Sequence, residues 1–182
     1  KELGLAGPIL LSAGRFVPWK GFGFLMTLLP EIRKRVPATL VLIGDGPVKS
    51  RLIELRVRLR VESFVVLPGA LSRETLTTYL SAADIFLLNT AYEGFSHQIL
   101  EAMAAGLPII TTPAGGNREL ISDGENGLFA HYNDSEDWNR ALMQLLGNPE
   151  LQERLGKNAR VSAAAFLQEA MIDKTLALFE SL

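Results

Sequence analysis

Glu93 and Glu101 bracket a segment that reads Glu93-Gly94-Phe95-Ser96-His97-Gln98-Ile99-Leu100-Glu101, with a helix start between the two carboxylates. Gly94 lets a ligand approach the backbone closely. The amides of Phe95, Ser96 and His97 are predicted to be first-turn donors, free to hold phosphate or sugar oxygens. Glu101, two turns into the helix, is suited to a ribose, because the two oxygens of one carboxylate accept from two vicinal hydroxyls at once. A competing reading has Glu93 stabilising the helix dipole and Glu101 paired with an arginine. Position alone leaves that open. Glu101 nevertheless interrupts the small apolar stretch from Ile99 to Ala105, and a carboxylate buried there needs partners.

A second constellation, Gly14-Arg15-Phe16-Val17-Pro18-Trp19-Lys20-Gly21, sets two cations on either side of a bend that leads into a helix. Arginine forks onto two phosphate oxygens and lysine adds a point charge near a helix N-terminus, so a diphosphate fits such a clamp. An ordinary surface turn with two solvated cations fits the spacing equally well. A third loop, Gly44-Asp45-Gly46-Pro47, reads as a structural turn. It lacks the third glycine of a dinucleotide fingerprint, since Lys49 stands there, and it follows the second strand instead of the first.

These loops need a scaffold, and the hydrophobic pattern supplies one. Ile9 to Ala13, Thr39 to Ile43, Phe64 to Leu67, Ile85 to Leu88 and Ile109 to Thr112 are apolar runs of strand length. Helical spacing fills the intervals, at Phe22 to Val36, Lys49 to Val61, Arg73 to Ala82 and Phe95 to Ala105. A short helix near Arg118 to Ile121, a small strand at Gly127 to Ala130 and helices from Ser135 onward complete the pattern. Alternating strand and helix predicts a Rossmann-like α/β fold, a doubly wound parallel sheet flanked by helices, with the loops above gathered at the carboxyl edge of the strands. On the last helix Leu167, Met171, Leu178 and Leu182 form one stripe, expected to pack on the chain's own sheet.

The 182 residues suit one domain, taken here as residues 1–182, and the net charge of −2 offers no basic excess for nucleic acid. No cysteine is present, so disulfides, thiolate metal sites and thiol nucleophiles are excluded. Neither a membrane-spanning run nor a signal peptide is apparent, and a cytoplasmic location is expected.

Taken together, the residues resemble the C-terminal domain of the GT-B fold retaining glycosyltransferases, called family 4 or glycosyltransferase group 1. The resemblance runs along nearly the whole chain. It rests on Gly14-Arg15 with Lys20-Gly21, Gly44-Asp45-Gly46-Pro47, Val66-Leu67-Pro68-Gly69, Ala83-Asp84 and the Glu-x7-Glu element from Glu93 to Glu101. It continues through Ala102-Met103-Ala104-Ala105-Gly106-Leu107-Pro108, Gly115-Gly116 with Glu119, and Asp123-Gly124 with Gly127.

The resemblance implies a nucleotide-sugar donor, a UDP-, GDP- or ADP-sugar, bound by this domain. The sugar would pass with retention to an acceptor held by an N-terminal domain that these residues do not include. Arg15 and Lys20 would hold the donor diphosphate and steady the departing nucleotide, Glu93 would lie near the transferred sugar, and Glu101 would grip the ribose. Gly14 and the backbone of Gly94, Phe95 and Ser96 would cradle sugar and phosphate, and Gly69, within Pro68 to Leu71, would sit in the base loop. No metal or other cofactor is expected, and the chain alone is expected to be inactive. The family commonly has glycine where Ser96 stands, so a narrower approach to the sugar is expected. His97 and His131 are expected on the surface.

Two alternatives remain: a nucleotide-sugar 2-epimerase sharing the same architecture, and a non-catalytic donor-binding subunit. The basic stretch Lys49, Arg51, Arg56, Arg58 and Arg60 raises peripheral contact with the inner face of a membrane, or with an anionic acceptor, against the plainer reading of a solvated helix face. Asn133-Asp134-Ser135 fits a glycosylation sequon but reads better as a helix cap.

Overall fold

The strands of the chain are β1 (Ile9–Ala13), β2 (Thr39–Ile43), β3 (Val65–Gly69), β4 (Ile85–Leu88), β5 (Ile109–Thr111) and β6 (Leu128–Phe129). They belong to a computed structural model that describes residues 4–166. All residues of β1, β2, β4 and β5 are buried, which accounts for their unbroken apolar runs: helices cover both faces of the sheet. The six strands run parallel in the order β3-β2-β1-β4-β5-β6. Central β1 sets Leu10 opposite Leu40 on one side and Ile85 on the other. The chain winds outward from β1 to β3, then returns to lay β4 against β1. The winding direction reverses at the β1/β4 boundary, and ligands of such sheets bind in the crevice beyond it.

The helices are α1 (Phe22–Ile32), α2 (Lys49–Arg58), α3 (Arg73–Ala82), α4 (His97–Ala105), α5 (Asn117–Leu120), α6 (Ser135–Leu146) and α7 (Pro149–Ala163). Alternate strand residues feed two cores. Leu10, Leu40 and Leu42 pack with Phe22, Leu25, Leu29 and Trp138 on one face. Leu11, Val41 and Phe86 pack with Ile99 and Met103 on the other. Helix α7 contributes to both, through Leu155 and Ala159. Its crossing with α4 depends on two glycines: a methyl group on Gly156 would stand 2.2 Å from the carbonyl oxygen of Gly106.

The doubly wound α/β expectation therefore holds, and the differences lie at element ends. α1 stops at Ile32, short of Val36, because Pro37 disfavours helical backbone at Val36 and the chain tightens into turns from Arg33. α2 stops at Arg58, and Arg60 takes a left-handed conformation (φ 56°). β3 extends to Gly69 through Pro68, which an edge strand tolerates. α4 begins at His97, after the cap Ser96, instead of at Phe95. The stripe of Leu167, Met171, Leu178 and Leu182 lies outside the described residues. No helix among the described residues is long and apolar enough to cross a membrane.

Candidate functional site

The loop after β1 carries Arg15 and Lys20 on a backbone that its neighbour shapes. Phe16 donates to the carbonyl of Asp45 at 2.8 Å, and Val48 donates back to the carbonyl of Phe16 at 3.2 Å. A side chain on Gly44 would begin 1.9 Å from the carbonyl oxygen of Gly14, and one on Gly46 would begin 2.5 Å from that of Phe16. The Gly44-Asp45-Gly46 turn is thus the shelf under the Arg15 loop. Gly14 holds φ 146°, a backbone conformation that side chains disfavour, and the Lys20 head lies 3.4 Å from where a Gly14 side chain would begin. A single 3-10 turn, Pro18–Lys20, then hands the chain to α1 through left-handed Gly21.

The loop after β4 is held from three sides. The amide of Ala91 donates to the carbonyl of Trp19 at 2.8 Å, which ties this loop to the lysine loop. Thr90 Oγ1 donates to the carbonyl of Tyr92 at 2.7 Å, and Thr112 Oγ1 to that of Thr90 at 2.6 Å. The amide of Gly116 donates to the carbonyl of Glu93 at 3.2 Å. Methyl groups on Gly115 and Gly116 would stand 2.0 Å from the Glu93 oxygen and 1.7 Å from the Gly94 oxygen. Only bare backbone fits behind Glu93 and Gly94. In front, nothing lies within 4 Å of where a Gly94 side chain would begin.

Across the β1/β4 boundary the two loops meet. Lys20 Nζ lies 3.2 Å from Glu93 Oε2, with side chains 11% and 12% exposed. The approach is out of line for a hydrogen bond, so the buried Oε2 has no hydrogen-bond donor among the described residues. Lys20 Nζ also donates to Gln98 Oε1 at 3.4 Å. The amides of Gly94, Phe95, Ser96, His97 and Gln98 make no hydrogen bonds among the described residues. Arg15, exposed at the same edge, forms no ion pair among them. Cations, a carboxylate and free amide donors thus share one rim of the sheet, an arrangement able to hold a polyanion with polyol groups attached.

The remaining predicted residues divide. Ser96 is fully buried, and its Oγ accepts from the amide of Ile99 at 3.3 Å. Its side chain therefore caps α4 and does not narrow the approach to the cleft, contrary to the expectation. Phe95 lies edge-on to His97 and tilted against Phe166, anchoring the loop's outer end. Gly69 ends β3 with φ 86°, its carbonyl accepting from Gly44. Glu101 is half-buried apart from the Lys20–Glu93 pair, in a groove between α3 and α4 that Arg73, Thr77 and Arg160 also line. It forms no ion pair among the described residues.

Several polar residues serve structure alone. Asp84 Oδ2 accepts from the amide of Ile9 at 2.6 Å, at the amino edge of the sheet, and Asp45 pairs with Lys49. His97 and His131 are exposed, as expected. Asp134 caps α6, while Asp137 accepts from the amide of His131, a bond that together with Arg140 holds its carboxyl below the usual carboxylate range.

Two residues of the rim, Asn89 and Gln98, were not singled out from the sequence. Buried Asn89 receives the amide of Asn133 at 3.2 Å and donates to Asn133 Oδ1 at 2.8 Å, beside the carbonyl of Gly21. Its hint was a carboxamide directly after an apolar strand, in a position with no room for an unsatisfied polar group. Gln98 looked like an unremarkable helix residue.

A sheet wound both ways from β1, with its charged rim at the reversal, defines an α/β domain of the Rossmann-like class. Residues 2–162 match the family described as glycosyl transferases group 1, and the chain belongs to that family. It is 32% identical over 175 residues to the lipopolysaccharide core biosynthesis glycosyltransferase LpsE of Rhizobium meliloti, covering 96% of this chain and 50% of that protein. It is 31% identical over 161 residues to the GDP-mannose-dependent alpha-(1-6)-phosphatidylinositol monomannoside mannosyltransferase of Mycolicibacterium smegmatis, covering 84% of this chain and 42% of that one. The structure of Anabaena HepE in complex with UDP and glucose superposes with a TM-score of 0.87 at 25% identity, covering 99% of this chain and 50% of that one. The chain spans about half the length of the relatives it matches.

Proposed function

We propose that this chain binds the nucleotide-diphosphate sugar of a retaining glycosyltransferase, and that an acceptor-binding domain completes the cleft. The observation that carries the reading is the nearly buried Lys20–Glu93 pair at the β1/β4 reversal, its bonding positions incompletely filled and free amides beside it. In this reading Lys20 and Arg15 bind the diphosphate. As the glycosidic bond breaks, they offset the negative charge gathering on the leaving nucleotide, the task a metal ion performs elsewhere.

The amides around Gly94 and His97 hold phosphate or sugar oxygens, and Glu93 faces the sugar being transferred. Glu101 accepts the ribose hydroxyls from the α3/α4 side, and the turn after Gly69 receives the base. UDP in the HepE complex and GDP-mannose in the name of the mycolicibacterial relative support a nucleotide-diphosphate donor.

The test is incubation of the full-length protein with UDP-glucose and with GDP-mannose in EDTA, with and without candidate acceptors. Nucleotide released only when acceptor is present, and a product whose anomeric configuration by NMR matches the donor's, are the expected results. Recovery of an epimerised donor without acceptor, or an inverted product, overturns the reading.

A further inference from the structure

A lysine ammonium is a point charge with three N–H donors on a flexible stem, so binding a phosphate well requires that something fix its direction. In this structure the stem passes beside Gly14, where an added methyl group would lie 3.7 Å from Lys20 Cδ, in ordinary van der Waals contact. The head has two neighbours: Glu93 Oε2 at 3.2 Å and Gln98 Oε1 at 3.4 Å. Glu93 belongs to the braced loop after β4, whereas Gln98 sits in the first turn of α4, behind the Ser96 cap and next to the buried Ile99.

The two acceptors differ in kind as well. The carboxylate attracts the ammonium strongly and by itself would draw it down onto the unfilled Oε2. A neutral carboxamide takes one N–H without adding negative charge beside an incoming diphosphate.

We propose that Gln98 is a positioning residue: it holds the Lys20 ammonium off full engagement with Glu93, so that one N–H stays available to a donor phosphate oxygen. The inference rests on the donor-site reading above and adds to it the residue that sets how ready Lys20 is before donor arrives.

A double-mutant cycle in the full-length protein tests it, with UDP and GDP titrated by calorimetry into wild type, Gln98→Leu, Lys20→Met and the double variant. Gln98→Leu weakens binding of whichever nucleotide the protein takes by about tenfold, the scale of one hydrogen bond to a charged group. In the Lys20→Met background the same change has little further effect, because the group it acts through is gone. Gln98→Ala repeats the cycle without apolar bulk, and thermal melts establish that each variant is folded. An equal loss in both backgrounds overturns the inference, as does no loss in the wild-type background. If Lys20→Met itself binds nucleotide as tightly as wild type, the donor-site reading falls and takes the inference with it. A weakened Lys20→Met beside a Gln98→Leu that binds as tightly as wild type removes Gln98 alone.

Discussion

The rim at β1 and β4 and the region from β5 to α7 use polar residues in opposite ways. Beyond β5 many side chains are bonded into the fold, although Asn117 Oδ1 and Asn139 Oδ1 are buried there without a partner among the described residues. Asn126 bonds Ser122, Leu120 and Ser162, and Asp137 bonds His131 and Arg140. At the rim, by contrast, Arg15 is unpaired, Glu93 Oε2 is short of a hydrogen bond, and five consecutive amides from Gly94 to Gln98 are free among the described residues. Glu93 Oε2 is a buried atom left without a donor, and the free helix-start amides and the exposed Arg15 guanidinium around it are open to an outside molecule on the same rim. One region spends its polar groups on the fold, and the other withholds them.

The contrast breaks first if the rim cations are dispensable. Arg15→Ala and Lys20→Met in the full-length protein are each expected to lower kcat by about 100-fold or more, the usual cost of deleting one charge-stabilising group; the melting temperature holds for Arg15→Ala and falls for Lys20→Met, which leaves Glu93 without its counter-charge. Steady-state kinetics that match wild type would remove the rim from the chemistry. The next largest effect separates the two sides of one loop. Gly116→Ala drives a methyl group against the Gly94 carbonyl and is expected to cost about 1–3 kcal/mol of stability by denaturant titration, as overpacking does.

Gly94→Ala meets open space, so its stability should stay within about 0.5 kcal/mol of wild type. Its nucleotide-sugar affinity should nevertheless fall about tenfold, the scale of one lost hydrogen bond to a charged group. Unaltered affinity would mean that no ligand uses that face.

The smallest effect sharpens the other half of the comparison. The Asp137 carboxyl titrates below its ordinary value, so its contribution to stability is complete above the unfolded pKa of about 3.9 and is lost as pH falls through the lower folded value. Asp137→Asn is expected to destabilise the protein by about 1 kcal/mol at neutral pH and to converge with wild type in acid. A difference that persists in acid would mean that the carboxylate charge is not what holds the start of α6.

Much of this was legible in the residues. Continuous apolar runs gave five strands because a doubly covered parallel sheet demands them, and Gly14, Gly44 and Gly94 marked the edge where backbone must bend. The two-residue strand β6 lay within the predicted small strand. Helix ends were less legible, since at Ser96 a capping hydroxyl and at Val36 a following proline decided the boundary by local competition. In the rim, residue types pointed to Arg15, Lys20, Glu93 and Glu101. That Lys20 meets Glu93 while Glu101 faces a separate groove depends on how α4 is rotated against α3, which tertiary packing sets. Gln98 and Asn89 were invisible for the same reason: each matters through a neighbour tens of residues away.

The Asn89–Asn133 pair has a consequence for how the domain answers its surroundings. It fastens the strand end beneath the Lys20 turn to the loop before α6 with two carboxamides, groups that neither titrate across the physiological range nor feel added salt. This fastening of the rim is therefore electrically neutral, while Lys20, Arg15 and Glu93 above it are charged. Ionic strength acts on the grip of Lys20 and Arg15 without loosening the mount they stand on, so affinity falls with added salt while the shape offered to the ligand stays constant.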